Sequence, residues 1–310
     1  MTGESSKLSR RRILRAGALA VVAVPLAAAC GPGYDESPDP LVPLLDQAKA
    51  DAAAATALAT TSPKDADVAK QVADGRSAHA AALQSEVDRL NRPKSTAAAA
   101  PPPPGGLAGL KQRLADARKQ AESMVGGQPR YRAGLLAAIA GGCAGMQRLS
   151  PGLDVTETAA ELQAPTSVTL PPESVRAFQQ VLSAEHAAIW TYGLVSAFLP
   201  AEFKKSATEG TAEHVKRRDF CERVLTAAGA TPVTAEPAYV PPKPVTDAAS
   251  AKSVVATAES DTMAAWRGVV GQTDDAGLRA TATKALIASV RRGTPWRLES
   301  GEKPAAVALP

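Results

Sequence analysis

Two glutamates and one histidine stand where this chain otherwise places apolar side chains. Glu185 has Phe178, Val181, Leu182, Ile189 and Tyr192 at −7, −4, −3, +4 and +7. Glu259 has Val255, Met263, Trp266 and Val270 at −4, +4, +7 and +11. His214 shares its face with Ala207, Thr211, Cys221 and Leu225. At helical periodicity each of the three points into an apolar stripe. A carboxylate buried there must be neutralised by a proton, a cation or a metal.

A di-metal four-helix bundle uses one glutamate on each of two helices and Glu-x-x-His on the other two. Here the ligand set is incomplete. Thr211-Ala212-Glu213-His214 has the histidine but a threonine in place of the bridging acid. The helix expected over 275–292 carries Lys284, Arg291 and Arg292, has no histidine, and has only Asp275 as an acid. Glu185, His214 and Glu259 are thus candidate ligands for a single iron or other transition-metal ion, not for a pair. The favoured expectation is that no cofactor binds. Arg218, four residues after His214, and Arg292 are then the expected ion-pair partners of the glutamates. His186 and Glu213 read as solvated or inter-helix groups, and Tyr192, Trp190 and Trp266 as packing. The chain contains no Gly-rich phosphate loop, Ser/His/Asp elbow or Cys-x-x-Cys pair.

The elements that must position these residues are helical. Apolar positions recur at three and four residues, and alternation of β-branched residues is nearly absent. The pattern predicts helices near 41–60, 64–91, 106–126 and 131–148, a short one near 154–162, then 172–198, 201–228, 247–271 and 275–292. In each set of four the outer links are short, while the middle link is long and proline-rich, over 91–106 and 229–245. A dozen residues of polyproline II at ~3.1 Å each match the ~37 Å length of such helices. Two hairpins joined by one full-length crossover is the ferritin-like arrangement. The expected fold is therefore all-α, with tandem ferritin-like four-helix bundles over 41–163 and 172–296 and a tail over 297–310. A weak echo agrees, because His79 precedes Leu90 by the same eleven residues that separate His214 from Leu225. Asp51, His79 and Glu86 fall on or near apolar faces, but the first bundle reads as a purely packed partner. Cys143 and Cys221 each lie on an apolar stripe and are expected as two separate buried thiols.

The N-terminus carries a different kind of signal. Ser9-Arg10-Arg11-Arg12-Ile13-Leu14 precedes an uncharged segment over 16–29 that is well short of a membrane span. Residues 1–29 read as a signal peptide, with Arg10 and Arg11 as a twin-arginine pair. Leu26-Ala27-Ala28-Ala29-Cys30 resembles a lipobox, which makes Cys30 the lipidation site and 30–40 a tether. The alternative is simple Ala-x-Ala cleavage. Five of the 35 basic and one of the 31 acidic side chains lie in 1–29, leaving 30 of each in the mature chain. That balance predicts no nucleic-acid partner. The expected location is the extracytoplasmic face of the cell membrane, held through a lipid, with an envelope protein as partner.

Four segments carry a family resemblance. They are Ala184-Glu185-His186-Ala187-Ala188-Ile189-Trp190-Thr191-Tyr192-Gly193, His214-Val215-Lys216-Arg217-Arg218-Asp219, Ala227-Ala228-Gly229-Ala230-Thr231-Pro232 and Ala264-Ala265-Trp266-Arg267. Through them the region from Glu173 to Trp296 resembles a ferritin-like domain family of actinobacterial lipoproteins exported by the twin-arginine route. The resemblance implies a four-helix fold and lends no settled activity. The expectation is a binding or structural lipoprotein with a degenerate metal site. The alternative is a metal-dependent oxidase or peroxidase using one ion or an atypical di-metal centre.

Overall fold

The computed structural model describes residues 37–90, 105–156 and 162–310. Eight α-helices run through them: α1 (Val42–Thr61), α2 (Ala66–Leu90), α3 (Gly106–Val125), α4 (Arg130–Met146), α5 (Pro172–Val195), α6 (Lys204–Ala227), α7 (Ala248–Gln272) and α8 (Ala276–Glu299). Single 3-10 turns over Pro63–Asp65 and Ala201–Phe203 close the hairpins α1–α2 and α5–α6. The expected signal peptide, with Arg10, Arg11 and Cys30, lies outside the described residues, as does most of the first long link. Of the short helix expected near 154–162, residues 154–156 are not helical, and 157–161 lie outside the description. Among the described residues no helix is long and apolar enough to cross a membrane.

The helix boundaries follow local chemistry. Asp247 caps α7 in a reciprocal box with Ser250, whose backbone N–H donates to Asp247 Oδ1 at 2.8 Å. Asp275 caps α8 by accepting from Leu278 N at 2.7 Å. Gly229, at φ 75°, ends α6 with paired bonds from Ala230 N to Leu225 O and from Gly229 N to Thr226 O. That 6→1 and 5→2 pattern needs a left-handed residue, which explains glycine at this position.

The helices form two bundle-like units. In the first, α1 packs on α2 and α3, and α4 closes the square against both; in the second, α5 packs on α6 and α7, and α8 on α7. Residues 38–310 are a single unit, because α4 also packs against α7 and α8. Helix α4 is buried all round from Arg132 to Met146. Its small residues permit this. A Cβ on Gly141 would meet Leu286 at 2.5 Å, and one on Gly142 would meet the Ala308 carbonyl at 1.9 Å. At the other end of this contact, Arg130 spans Glu173 and Asp274, each at 2.8 Å.

The described middle link lies along α5. Gln179 exchanges bonds with Thr231 and Val233, Trp190 meets the Tyr239 ring at 6.0 Å, and Val245 packs against the apolar cluster that includes Val195 and Leu199. From Gln179 to Trp190 the link therefore travels about 16 Å along the helix.

One expectation needs correction, and two features go beyond the sequence. Helix α8 does not stop at 292 but runs to Glu299 through Pro295. An internal proline costs about 3 kcal/mol, and the burial of Trp296 against Tyr192 and Phe203 offsets it. The tail is docked on the helices. Ala305 and Ala306 are buried, and Ala308 O accepts from His79 Nε2 at 2.6 Å. The first bundle also encloses buried ion pairs. Asp51 is paired with Arg76 at 3.1 Å and Arg113 at 3.2 Å, and Arg132 bridges Asp39 at 2.6 Å and Glu86 at 2.7 Å. Asp39, Asp51, Arg76 and His79 are each 1% exposed or less. Buried charges stay only when paired in this way, and periodicity alone does not reveal the pairs. Cys143 and Cys221 are separate buried thiols.

Candidate functional site

Helices α5, α6 and α7 bring Glu185, His214 and Glu259 together at the centre of the second bundle, each of them 0% exposed. His214 lies between the two acids. Its Nδ1 is 2.6 Å from Glu185 Oε2, and its Nε2 is 3.2 Å from Glu259 Oε1. Two acceptors on opposite sides of one ring call for a proton on each nitrogen, so the ring is an imidazolium. Burial opposes that charge, but the Glu259 and Glu185 carboxylates together hold the His214 pKa above the ordinary histidine value. Burial also works against the Glu259 charge. His214 and Arg292 overcome it and pull the pKa down to about 2.

Two aromatic side chains also donate to these carboxylates. Trp266 Nε1 donates to Glu185 Oε1 at 2.6 Å, and Tyr192 OH donates to Glu259 Oε1 at 2.6 Å. These two rings were expected only to pack; they also hold the carboxylates. Burial and the Glu259 charge push the Tyr192 phenol well above its ordinary pKa. Gly210 makes the Tyr192 contact possible, because a Cβ there would sit 2.5 Å from the phenol ring.

Of the two arginines expected to pair with the acids, one does. Arg292 Nη1 is 3.6 Å from Glu259 Oε1. Arg218 instead turns outward to Asp219 at 2.6 Å. Its neighbour Arg217 points inward, is 1% exposed, and donates from Nη1 to Ser289 Oγ at 2.6 Å. Positions three and four after His214 flank the same stripe, so spacing alone does not choose between them. Thr262 Oγ1 completes this side at 3.1 Å from Ser289 Oγ. Sequence reasoning missed Arg217, Ser289, Thr262 and Gly210. The available signal was small polar residues on otherwise apolar stripes, at +3 from Glu259 and −3 from Arg292.

His186, expected to be solvated or between helices, is 8% exposed, with Nε2 3.3 Å from the Val233 carbonyl of the middle link. Glu213 pairs with Lys216 at the surface. The three candidate metal ligands therefore contact one another rather than a common point. Both His214 nitrogens are taken up by carboxylates, and this arrangement does not fit a metal ion. No group of three or more His, Cys, Asp or Glu among the described residues is disposed to hold one.

A cleft of about 820 Å³ opens beside this network. Arg217, Lys284 and Arg292 line it, with Phe203, Pro295 and Trp296 as an apolar wall. Two atoms of its lining side chains, Arg217 Nη2 and Arg292 Nη1, are buried without a hydrogen-bond partner among the described residues, as is Glu259 Oε2 in the network.

Residues 177–310 match the family described as a domain of unknown function (DUF4439). The chain is also similar to a conserved hypothetical protein, rv2844, from Mycobacterium tuberculosis, known from a crystal structure. The two are 32% identical over 41% of this chain and 98% of that one, with a TM-score of 0.40. Among curated proteins none matches this chain.

Proposed function

We propose that this chain, which through residues 177–310 belongs to the DUF4439 family, is a ferritin-like lipoprotein of the extracytoplasmic membrane face. In this reading it acts as a binding or structural protein, and a charge network stands in the second bundle where a metal centre would otherwise be. The carrying observation is His214 bonded on both sides, to Glu185 at 2.6 Å and to Glu259 at 3.2 Å. The imidazolium between two carboxylates, with Arg292 3.6 Å from Glu259, balances the two buried acids, which is the task a metal ion performs in a di-iron bundle. The middle link running along α5 supports the crossover topology of that fold. The twin-arginine pair Arg10 and Arg11, the lipobox ending at Cys30 and the neutral mature chain support export and anchoring, with an envelope protein as partner.

The decisive measurement is the metal content of protein exported by its own route, alongside a Glu185→Ala/His214→Ala variant. Absence of stoichiometric metal from both supports the proposal. Metal present at one or two equivalents, and lost in the variant, overturns it in favour of an oxidase or peroxidase using Glu185, His214 and Glu259. One observation favours that second reading: Glu259 Oε2 is buried and lacks a hydrogen-bond partner among the described residues. Anchoring is tested separately by Cys30→Ala, which should move the protein from the membrane fraction to the soluble one.

A further inference from the structure

The charges around the cleft do not balance. Each acid on its wall already has its own cation: Glu122 has Arg118 at 2.6 Å, Glu213 has Lys216 at 2.7 Å, and Glu299 has Lys252 at 2.9 Å. Glu209 has Lys205 at 3.9 Å. In the core, Glu185 is held by His214 and Trp266, and Glu259 by His214, Tyr192 and Arg292. That leaves Arg217. Its guanidinium is 1% exposed, its sole hydrogen-bond partner among the described residues is the neutral Ser289 hydroxyl, and Nη2 has none. Lys284, on the exposed rim of the same cleft, also has no partner among the described residues. Burial lowers the Arg217 pKa, and the Glu185 and Glu259 carboxylates nearby offset that only in part; an N–H buried without an acceptor is costly as well.

We infer that the cleft is a binding site for a small organic dianion, a phosphate monoester carried on an aromatic or apolar body. Arg217 binds the phosphoryl oxygens at the inner end, Lys284 supplies the second charge from the rim, and Phe203, Pro295 and Trp296 face the body. Two cations, Arg217 at depth and Lys284 at the rim, match a doubly charged head. A planar guanidinium with a free N–H fits phosphoryl oxygens, as carboxylate and phosphate recognition by arginine shows generally. The volume, about 820 Å³, is within the range of small-molecule pockets. This inference deepens the binding-protein reading and rests on it only in that the chain does no chemistry on the ligand; it holds whether or not Cys30 is acylated.

The test is titration of the purified full chain with phenyl phosphate, inorganic phosphate and benzoate, followed by calorimetry. Phenyl phosphate is expected to bind saturably, and inorganic phosphate and benzoate each about tenfold more weakly. Arg217→Met should weaken phenyl phosphate at least about tenfold, through loss of charge-assisted bonds. Thermal unfolding of the unliganded variant reads any effect on the fold separately from the loss of binding. Lys284→Ala, an exposed change that leaves the core untouched, should weaken phenyl phosphate about threefold to tenfold and keeps the test valid if Arg217→Met fails to fold. Equal affinity in the wild type and Lys284→Ala, benzoate binding as tightly as phenyl phosphate, or no saturation up to about 10 mM would each overturn the assignment. None of these outcomes bears on metal content or membrane fractionation, so failure here is separable from failure of the broader proposal.

Discussion

His214 Nδ1 lies 2.6 Å from Glu185 Oε2 at a point where neither side chain touches solvent. Removing one member strands the other as an uncompensated buried charge. His214→Leu or Glu185→Leu alone is therefore expected to destabilise the chain by about 3–5 kcal/mol. The double variant should cost less than the sum by at least about 1 kcal/mol. Denaturant unfolding of the four proteins in the cycle measures this, and strict additivity would show that the two groups are not a pair.

Gly210 should be intolerant of even one methyl group. A Cβ at 2.5 Å from the Tyr192 ring cannot be relieved cheaply, because the ring is fixed by its bond to Glu259. Gly210→Ala is expected to lower stability by about 1–3 kcal/mol. Gly268→Ala in α7, where nothing lies within 4 Å of the new Cβ, should instead raise it by about 0.5–1 kcal/mol through helix propensity. Opposite signs in thermal unfolding are the expected result.

The two deeply buried histidines should give opposite pH signatures. His79 accepts from Arg76 at Nδ1 and donates from Nε2 to Ala308, so it is neutral. Burial and Arg76 lower its pKa to about 3. Because the unfolded chain binds this proton first, stability falls as pH drops below about 6.5, and the loss continues to about 3. By pH 5 this single group costs about 2 kcal/mol. His214 runs the other way: its raised pKa makes its contribution complete below about 6.5 and lost as pH climbs past the folded value. His79→Gln, which keeps a donor for Ala308 but does not titrate, should flatten the acid limb between pH 7 and 4. An unchanged limb would mean that other groups dominate it.

Gly142→Ala should release the tail. The new Cβ would sit 1.9 Å from the Ala308 carbonyl oxygen, a backbone atom. The expected readout is loss of hydrogen-exchange protection confined at first to residues 303–310. A protected tail in that variant would show that the close approach is not maintained in solution.

The all-α architecture and eight of the nine expected helices were legible in the sequence, because apolar spacing at three and four residues reports directly on a helical face. So were Glu185, His214 and Glu259, since acids and an imidazole interrupting such stripes stand out. What was hidden depends on contacts between distant elements. Arg217 and Arg218 are equivalent by spacing, and only the approach of Ser289 on α8 distinguishes them. Pro295 is a stop signal locally, and Trp296 overrides it through contacts with Tyr192 and Phe203. Helix α4, rich in alanine and glycine, gave no sign of being buried on all sides, because burial there comes from neighbours fitting against missing side chains.

The bond from His79 to the Ala308 carbonyl joins an early helix to residues near the far end of the sequence. As the chain leaves the ribosome, the first four helices emerge with an unfilled place beside Gly142 and an imidazole lacking its acceptor. Native closure of that half waits until some 160 further residues have been synthesised. Folding of the early half is thereby tied to completion of the late one, and truncation shortly before Ala305 should leave even the first bundle unfinished.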